Sequence, residues 1–259
     1  MDGGIATLPA VRQERSRTRI IRAGGETVDM QKRIYSWLGR EFIELSGEAR
    51  AAASVEDETN DLFRRFEQEL KSHGLSLQNT VRTRAWGKDR EARTLATAAR
   101  AKILTGDAKA ASSSYISPSR FDSDARVALD LLAMRRSRPD AERKPVEFVP
   151  PRNYLCYLRC DSVIFVSGYT SDLETLQNQV PQIVEAVASG LMVAASDWSH
   201  LVKLSFFLHR SQKIETLRKV LEKGLPKPPD MAKVEFGVVD GYAGEKSLLE
   251  VEATAVIRG

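Results

Sequence analysis

The chain has 259 residues, 42% hydrophobic and 29% charged, a balance that excludes wholesale disorder and collagen-like repetition and suits two domains of about 120 residues or one large one. No run of about 18 apolar residues occurs, so no membrane-spanning helix is expected. The net charge is +4 with only two cysteines, which excludes a disulfide framework and makes a reducing cytoplasm the expected location.

In chain order, residues 34–46 read as strands that run into Ser46-Gly47. Residues 55–73 place Leu62, Phe63, Phe66 and Leu70 on one helical stripe, with Gly74 as the glycine that ends it. TVRTRAWG at 80–87 returns as a strand, 90–104 is a helix with alanines along one face, and 115–134 supplies closing strands. The stretch 135–151 (RRSRPDAERKPVEFVPP) is rich in proline and charge and reads as a linker. Strands follow at 154–167, a helix at 172–191, a strand at 201–208, a helix at 213–223, and strands at 233–239 and 247–257. Helices between strands of one sheet predict an α+β architecture: a mixed sheet with two helices on one face.

The chain repeats itself. EFIELSGEA at 41–49 matches SVIFVSGYT at 162–170, so that Ser46 and Ser167 are 121 apart. TVRTRAWG and LVKLSFFL are also offset by 121, and VALDLLAM at 127 matches LEVEATAV at 249, offset by 122. Three landmarks in one order at nearly constant spacing indicate a duplicated domain. The organisation is a tail at 1–22, a first domain at 23–134, a linker at 135–151 and a second domain at 152–259. Consecutive Phe206 and Phe207 point one to each sheet face, so the face without helices needs a covering sheet from the sister domain or another chain.

Basic residues gather at Arg12, Arg15, Arg17, Arg19 and Arg22 and at Arg135, Arg136 and Arg138. These read as a solvated tail and a linker. No basic face interleaved with aromatics is present, so nucleic-acid binding is not expected. The N-terminus lacks the apolar core of a secretory signal.

These residues resemble the Rid (YjgF-like) family of reactive-intermediate imine deaminases. The resemblance rests on the strand VIFVSG at 163–168, the closing strand EVEATAV at 250–256, and Tyr154, which lies 13 residues before Ser167. It implies two tandem chorismate-mutase-like domains, assembly into a homotrimer, and ligand clefts between neighbouring domains. It also implies hydrolysis of a small imine or enamine with release of ammonia, with no cofactor. The family's substrate-clamping arginine, 15 residues before the first glutamate of the closing strand, falls here on Glu235. In the first half, Ser112–Tyr115 offers no arginine either, and Ala128 and Asp130 stand where the closing strand has its glutamates. The first domain is therefore expected to be catalytically degenerate.

Glu250 is the candidate acid–base group: a carboxyl in a partly apolar cleft has its pKa raised and can protonate a leaving nitrogen. Tyr154, Ser167 and Glu252 are candidate substrate contacts, and Arg218, Arg120 and Arg84 are candidate replacements for the missing cation. Each has a plainer reading as a wet or salt-bridged residue on a strand or helix face. Cys156 and Cys160 could share one strand face, but His73, His200 and His209 stand at no ligand spacing, so no metal site is expected. Gly24-Gly25-Glu26 is too short for a phosphate loop. Two competing readings remain: a chorismatase-like hydrolase of an enol ether, and a small-ligand-binding or assembly protein without catalysis.

Overall fold

The computed structural model describes residues 14–18, 30–138, 140–224 and 233–257. The first sheet comprises β1 (Glu14–Thr18), β2 (Met30–Trp37), β3 (Arg40–Glu48), β4 (Thr80–Gly87), β5 (Ala111–Ile116) and β6 (Val127–Met134), with helices α1 (Val55–Ser72) and α2 (Arg90–Ile103). The second comprises β7 (Arg143–Glu147), β8 (Leu155–Cys160), β9 (Val163–Thr170), β10 (Leu201–His209), β11 (Val234–Val239) and β12 (Leu249–Val256), with α3 (Leu176–Val193) and α4 (Ile214–Gly224). The strand orders are β1-β2-β3-β6-β4-β5 and β11-β10-β12-β9-β8-β7. Reading the second order backwards, strand for strand, gives the first, so the repeat seen in the sequence is a repeat of topology. In each sheet only the β4–β5 or β10–β11 pair is parallel. The chain is thus two tandem domains, each a mixed sheet with two helices on one face.

Local chemistry sets the helices. Ser54 caps α1 by accepting from the Asp57 backbone N–H, with Glu56, Asp57 and Glu58 in the first turn, a favourable placement of negative charge. Gly74 follows with a φ of 67°, the left-handed geometry that glycine adopts without cost. In α3 Thr175 is the cap, accepting from Asn178, so the helix begins at Leu176, four residues later than the sequence pattern suggests.

The edge strands β1 and β7 differ from expectation, since they lie in the stretches read as tail and linker. ERSRT and RKPVE carry no alternating apolar pattern. An edge strand pairs on one side only, and it tolerates charge and Pro145 for that reason. The rest of the expected tail, with Arg12, Arg19, Arg22 and Gly24-Gly25-Glu26, lies outside the described residues.

One apolar core lies between each sheet and its own helices, with Phe66 and Leu129 in the first and Val187 and Phe206 in the second. The other faces meet each other. Phe42, Met134, Leu158 and Phe165 form one shared cluster, and Trp86, Tyr115, Phe207 and Tyr242 another. Phe206 and Phe207 therefore do point to opposite faces, and the sister domain of the same chain covers Phe207. Residues 121 apart touch across this interface: Arg40 Nε lies 2.9 Å from Asp161 Oδ2, Arg84 Nη2 lies 3.3 Å from Ser205 Oγ, and the Trp86 and Phe207 rings are 5.9 Å apart. Contacts between equivalent positions are the mark of an approximate two-fold pairing.

Two irregularities shape the second domain. On β9, Ser167 and Gly168 together face Glu252 of β12, because the register skips between Val251 and Ala253. On β8, the register with β7 skips Cys156. This bulge breaks the strand's alternation: Cys156 packs with the second domain's own core, and Cys160 joins the interdomain cluster. The two thiols do not share a face, and both are free.

Candidate active site

The edge strand β5 of the first domain abuts β9 of the second. An edge strand has unpaired backbone groups that need partners. Here the Ser112 backbone N–H donates to Ser167 Oγ at 3.0 Å, and the Ile116 N–H donates to the Gly241 carbonyl at 2.9 Å. Ser167 is fully buried, so it ties the domains together directly behind the cleft wall. Beside this seam lies a cleft of about 200 Å³ whose lining includes Thr83, Arg100 and Ser112 of the first domain and Tyr154 and Leu155 of the second. The Tyr154 hydroxyl accepts from Arg152 Nη1 at 2.8 Å, and its ring packs edge-on against Phe148, 5.2 Å away.

Glu250 sits on β12 between Thr170 of β9 and Phe207 of β10. It is 6% exposed, and its Oε1 has no hydrogen-bond partner among the described residues. Gly168 makes room for it, since a Cβ there would overlap Oε1. Burial, then the neighbouring Glu252 charge, push its carboxyl up to about 8, against the opposing pull of Arg93, Tyr115 and Arg100. Glu250 is therefore a mostly protonated acid at neutral pH. It lies beyond Gly168 and does not line the cleft itself.

Glu252, two residues on and on the same face, has the opposite character. Arg84 holds it bidentately, with Nε 3.0 Å from Oε1 and Nη2 2.8 Å from Oε2. Tyr115 donates at 3.0 Å, and the Ser113 hydroxyl donates as well. Burial alone would raise this carboxyl, but the charges of Arg84 and then Arg82, with hydrogen bonds from Arg84 and Ser113, hold it at about 2. Glu252 and Arg84 are thus committed to each other at the domain interface.

The remaining arginine candidates lie elsewhere. Arg120, on a short turn after β5, stacks 4.4 Å over the Trp86 ring, donates to Ser46 Oγ at 3.0 Å and pairs with Asp130. Ser46 and Trp86 Nε1 also donate to Asp130, at 2.6 and 2.8 Å. Ser46 is the repeat counterpart of Ser167, so the first domain fills this position with its own ion pair. Arg218 is exposed on α4, its guanidinium 5.5 Å from the Phe236 ring, on the helix side of the second sheet and away from the cleft.

Two residues that the sequence reading passed over, Arg93 and Arg100, bring positive charge to the site. They are seven apart on α2, two turns on one face. Arg93 Nη2 donates to Ser114 Oγ at 2.5 Å, and Arg100 Nη1 donates to the Ser113 carbonyl at 2.7 Å. Burial, then repulsion from Arg93, lower Arg100 to about 10. The available signal was Arg100 on the face that carries Ala92, Ala96 and Ala99, all buried: a charge among alanines on a core-facing stripe.

No sequence-family model matches this chain, and no curated protein matches it. It resembles solved Rid structures. Rv2704 of Mycobacterium tuberculosis, a member of the YjgF/YER057c/UK114 family, is 17% identical and matches over 45% of this chain and 100% of its own, with a TM-score of 0.39. NMB1025 of Neisseria meningitidis, a YjgF family protein, is 18% identical over 46% of this chain and 98% of its own, also at 0.39. RidA from an Antarctic Psychrobacter is 16% identical over 46% and 100%, at 0.35. Each Rid chain is about the length of one of the two domains. Among the described residues no helix is long and apolar enough to cross a membrane, and no group of three or more His, Cys, Asp or Glu could hold a metal ion.

Proposed function

We propose that the chain is a hydrolase that adds water to the C=N bond of a small imine, or of the imine tautomer of an enamine, at the seam between its two domains. The observation that carries this reading is Glu250, a buried acid beside Gly168 whose Oε1 has no hydrogen-bond partner among the described residues and whose carboxyl is pushed up to about 8 by burial. Its proton goes to the imine nitrogen, which makes the carbon electrophilic. Water adds to that carbon, and the carboxylate takes up the proton the water releases. The carbinolamine then collapses as the C–N bond breaks. Nitrogen leaves as ammonia with the returned proton, the hydroxyl proton passes to the Glu250 carboxylate, and the product is a carbonyl. One water is consumed for each ammonia, and Glu250 ends as it began. Arg93 and Arg100 stabilise negative charge in the substrate, a task that the residues matching the Rid strand arginine do not perform here.

A coupled ammonia-release assay with freshly generated 2-imino acids tests the reading. The wild type is expected to release ammonia, and Glu250→Gln to lose roughly 10²–10⁴-fold in rate. Unchanged turnover by the variant removes Glu250 from the mechanism, and no release from the wild type removes the reaction.

A second reading, a small-ligand-binding protein without catalysis, is favoured by one observation: the cleft wall is formed by Thr83, Ser112, Arg100 and Tyr154, while Glu250 stands behind it. Saturable ligand binding with no ammonia release would select this reading. The three-chain assembly implied by the Rid resemblance belongs to the first proposal, and sedimentation equilibrium tests it: a single-chain mass overturns it.

A further inference from the structure

The floor of the interdomain cleft holds two polar groups with unused bonding capacity. Arg100 is 5% exposed and lines the cleft. Among the described residues it forms one hydrogen bond, to the Ser113 carbonyl, and has no ion-pair partner. Thr83, 1% exposed, also lines the cleft, and its Oγ1 has no hydrogen-bond partner among the described residues. A guanidinium removed from water without a counter-charge is unfavourable, and a buried hydroxyl without a partner is too. Of the carboxyls whose charge reaches Arg100, Glu250 is pushed up to about 8 by burial and Glu252 is held by Arg84.

The rim carries a second cation. Arg152 lies 4.4 Å over the Phe148 ring and donates to the Tyr154 hydroxyl, so its guanidinium is held at the mouth. It too has no ion-pair partner among the described residues. Lys109 and Glu147, also at the mouth, pair with and neutralise each other. Between floor and rim the walls are mixed, with Ala101, Leu104 and Leu155 beside Ser112 and Asn153. The volume of about 200 Å³ is below the range of drug-sized sites. The cleft thus offers a cation at each end of a short channel of mixed polarity.

We propose that the cleft binds a small dicarboxylate, with one carboxylate on Arg100 and Thr83 at the floor and the other on Arg152 at the rim. The planar guanidinium fork matches a carboxylate at both ends. The proposal rests on the interdomain cleft being the ligand site, as in the reading above, but not on imine chemistry.

Isothermal titration calorimetry of the intact protein with 2-oxoglutarate and 2-oxopentanoate tests it, because the two share a five-carbon chain and differ by one carboxylate. The dicarboxylate is expected to bind at least about tenfold tighter, the value of one good charge-assisted contact. Arg152→Gln is expected to lower 2-oxoglutarate to the affinity of 2-oxopentanoate and to leave the latter unchanged. Arg100→Gln is expected to abolish binding of both. Arg152 is exposed, so its variant keeps the fold and decides the question even where the Arg100 variant does not fold. Equal affinity of the two acids for the wild type, no binding of either, or a dicarboxylate preference that survives Arg152→Gln overturns the proposal. Binding without ammonia release from any imine would sink the hydrolase reading and leave this one standing. Hydrolysis of monocarboxylate imines with no preference for a second acid group would do the reverse.

Discussion

Arg84 of β4 and Glu252 of β12 form a bidentate ion pair across the domain interface, with side chains 14% and 1% exposed. The Arg84 counterpart in the repeat is Ser205, and Arg84 Nη2 also donates to that hydroxyl. Two arginines at this position would face each other near the approximate two-fold. The halves have diverged so that one supplies the cation and the other its counter-charge.

Removing one partner leaves the other buried and uncompensated, so Glu252→Gln is expected to destabilise the fold by about 3–5 kcal/mol. Urea denaturation measures this, and a loss below about 1 kcal/mol would place the pair in solvent instead. Glu252 is held at about 2, below its ordinary 4.5. Its contribution is therefore present above pH 4.5 and is lost as pH falls through about 2.

Glu250 has the opposite pH dependence. Its folded pKa of about 8 lies above the ordinary 4.5, so the protonated carboxyl's contribution is fully present below pH 4.5 and declines as pH rises through about 8. Glu250→Gln mimics the protonated form at every pH. Thermal melts should match wild type near pH 5, and the variant should melt higher near pH 9. Ammonia release by the wild type, if Glu250 is its acid, should fall as pH rises through the same value. A variant with no stability gain at high pH would mean that the carboxyl ionises freely.

Gly168 is the tightest backbone position at the site. A Cβ would overlap Glu250 Oε1, so Gly168→Ala must push the carboxyl away or widen the bulge. The expected cost is about 1–3 kcal/mol, as for other overpacking changes, together with a shift of the Glu250 titration toward 4.5. Carboxyl titration by carbon-13 NMR reads that shift, and an unmoved pKa in a folded variant would contradict the contact.

Much of the candidate site was legible as residues but not as roles. Glu250 and Glu252 stand two apart on one strand and look equivalent in sequence. They differ because Arg84 and Ser113 of the other domain bond to Glu252 and not to Glu250. Arg120 looked like a spare cation, and its charge is taken by Asp130 ten residues on. Arg93 and Arg100 were passed over in the helix at 90–104, and Arg100 becomes a cleft residue because the edge strand β5 beneath α2 meets the second domain.

The duplication, α1, α2, α4 and the inner strands of both sheets were legible in the chain's own pattern. These follow from local periodicity, caps and the 121-residue offset, all of which are properties of neighbouring residues. Folding adds that the sister domain covers Phe207, that β1 and β7 extend the sheets, and that a bulge separates Cys156 from Cys160. It also decides which carboxyl of the closing strand is ionised. Pairing of an edge strand and a register slip depend on the partner strand and not on the strand's own pattern, and burial of the Arg84–Glu252 pair joins groups 168 residues apart, so no local pattern encodes them.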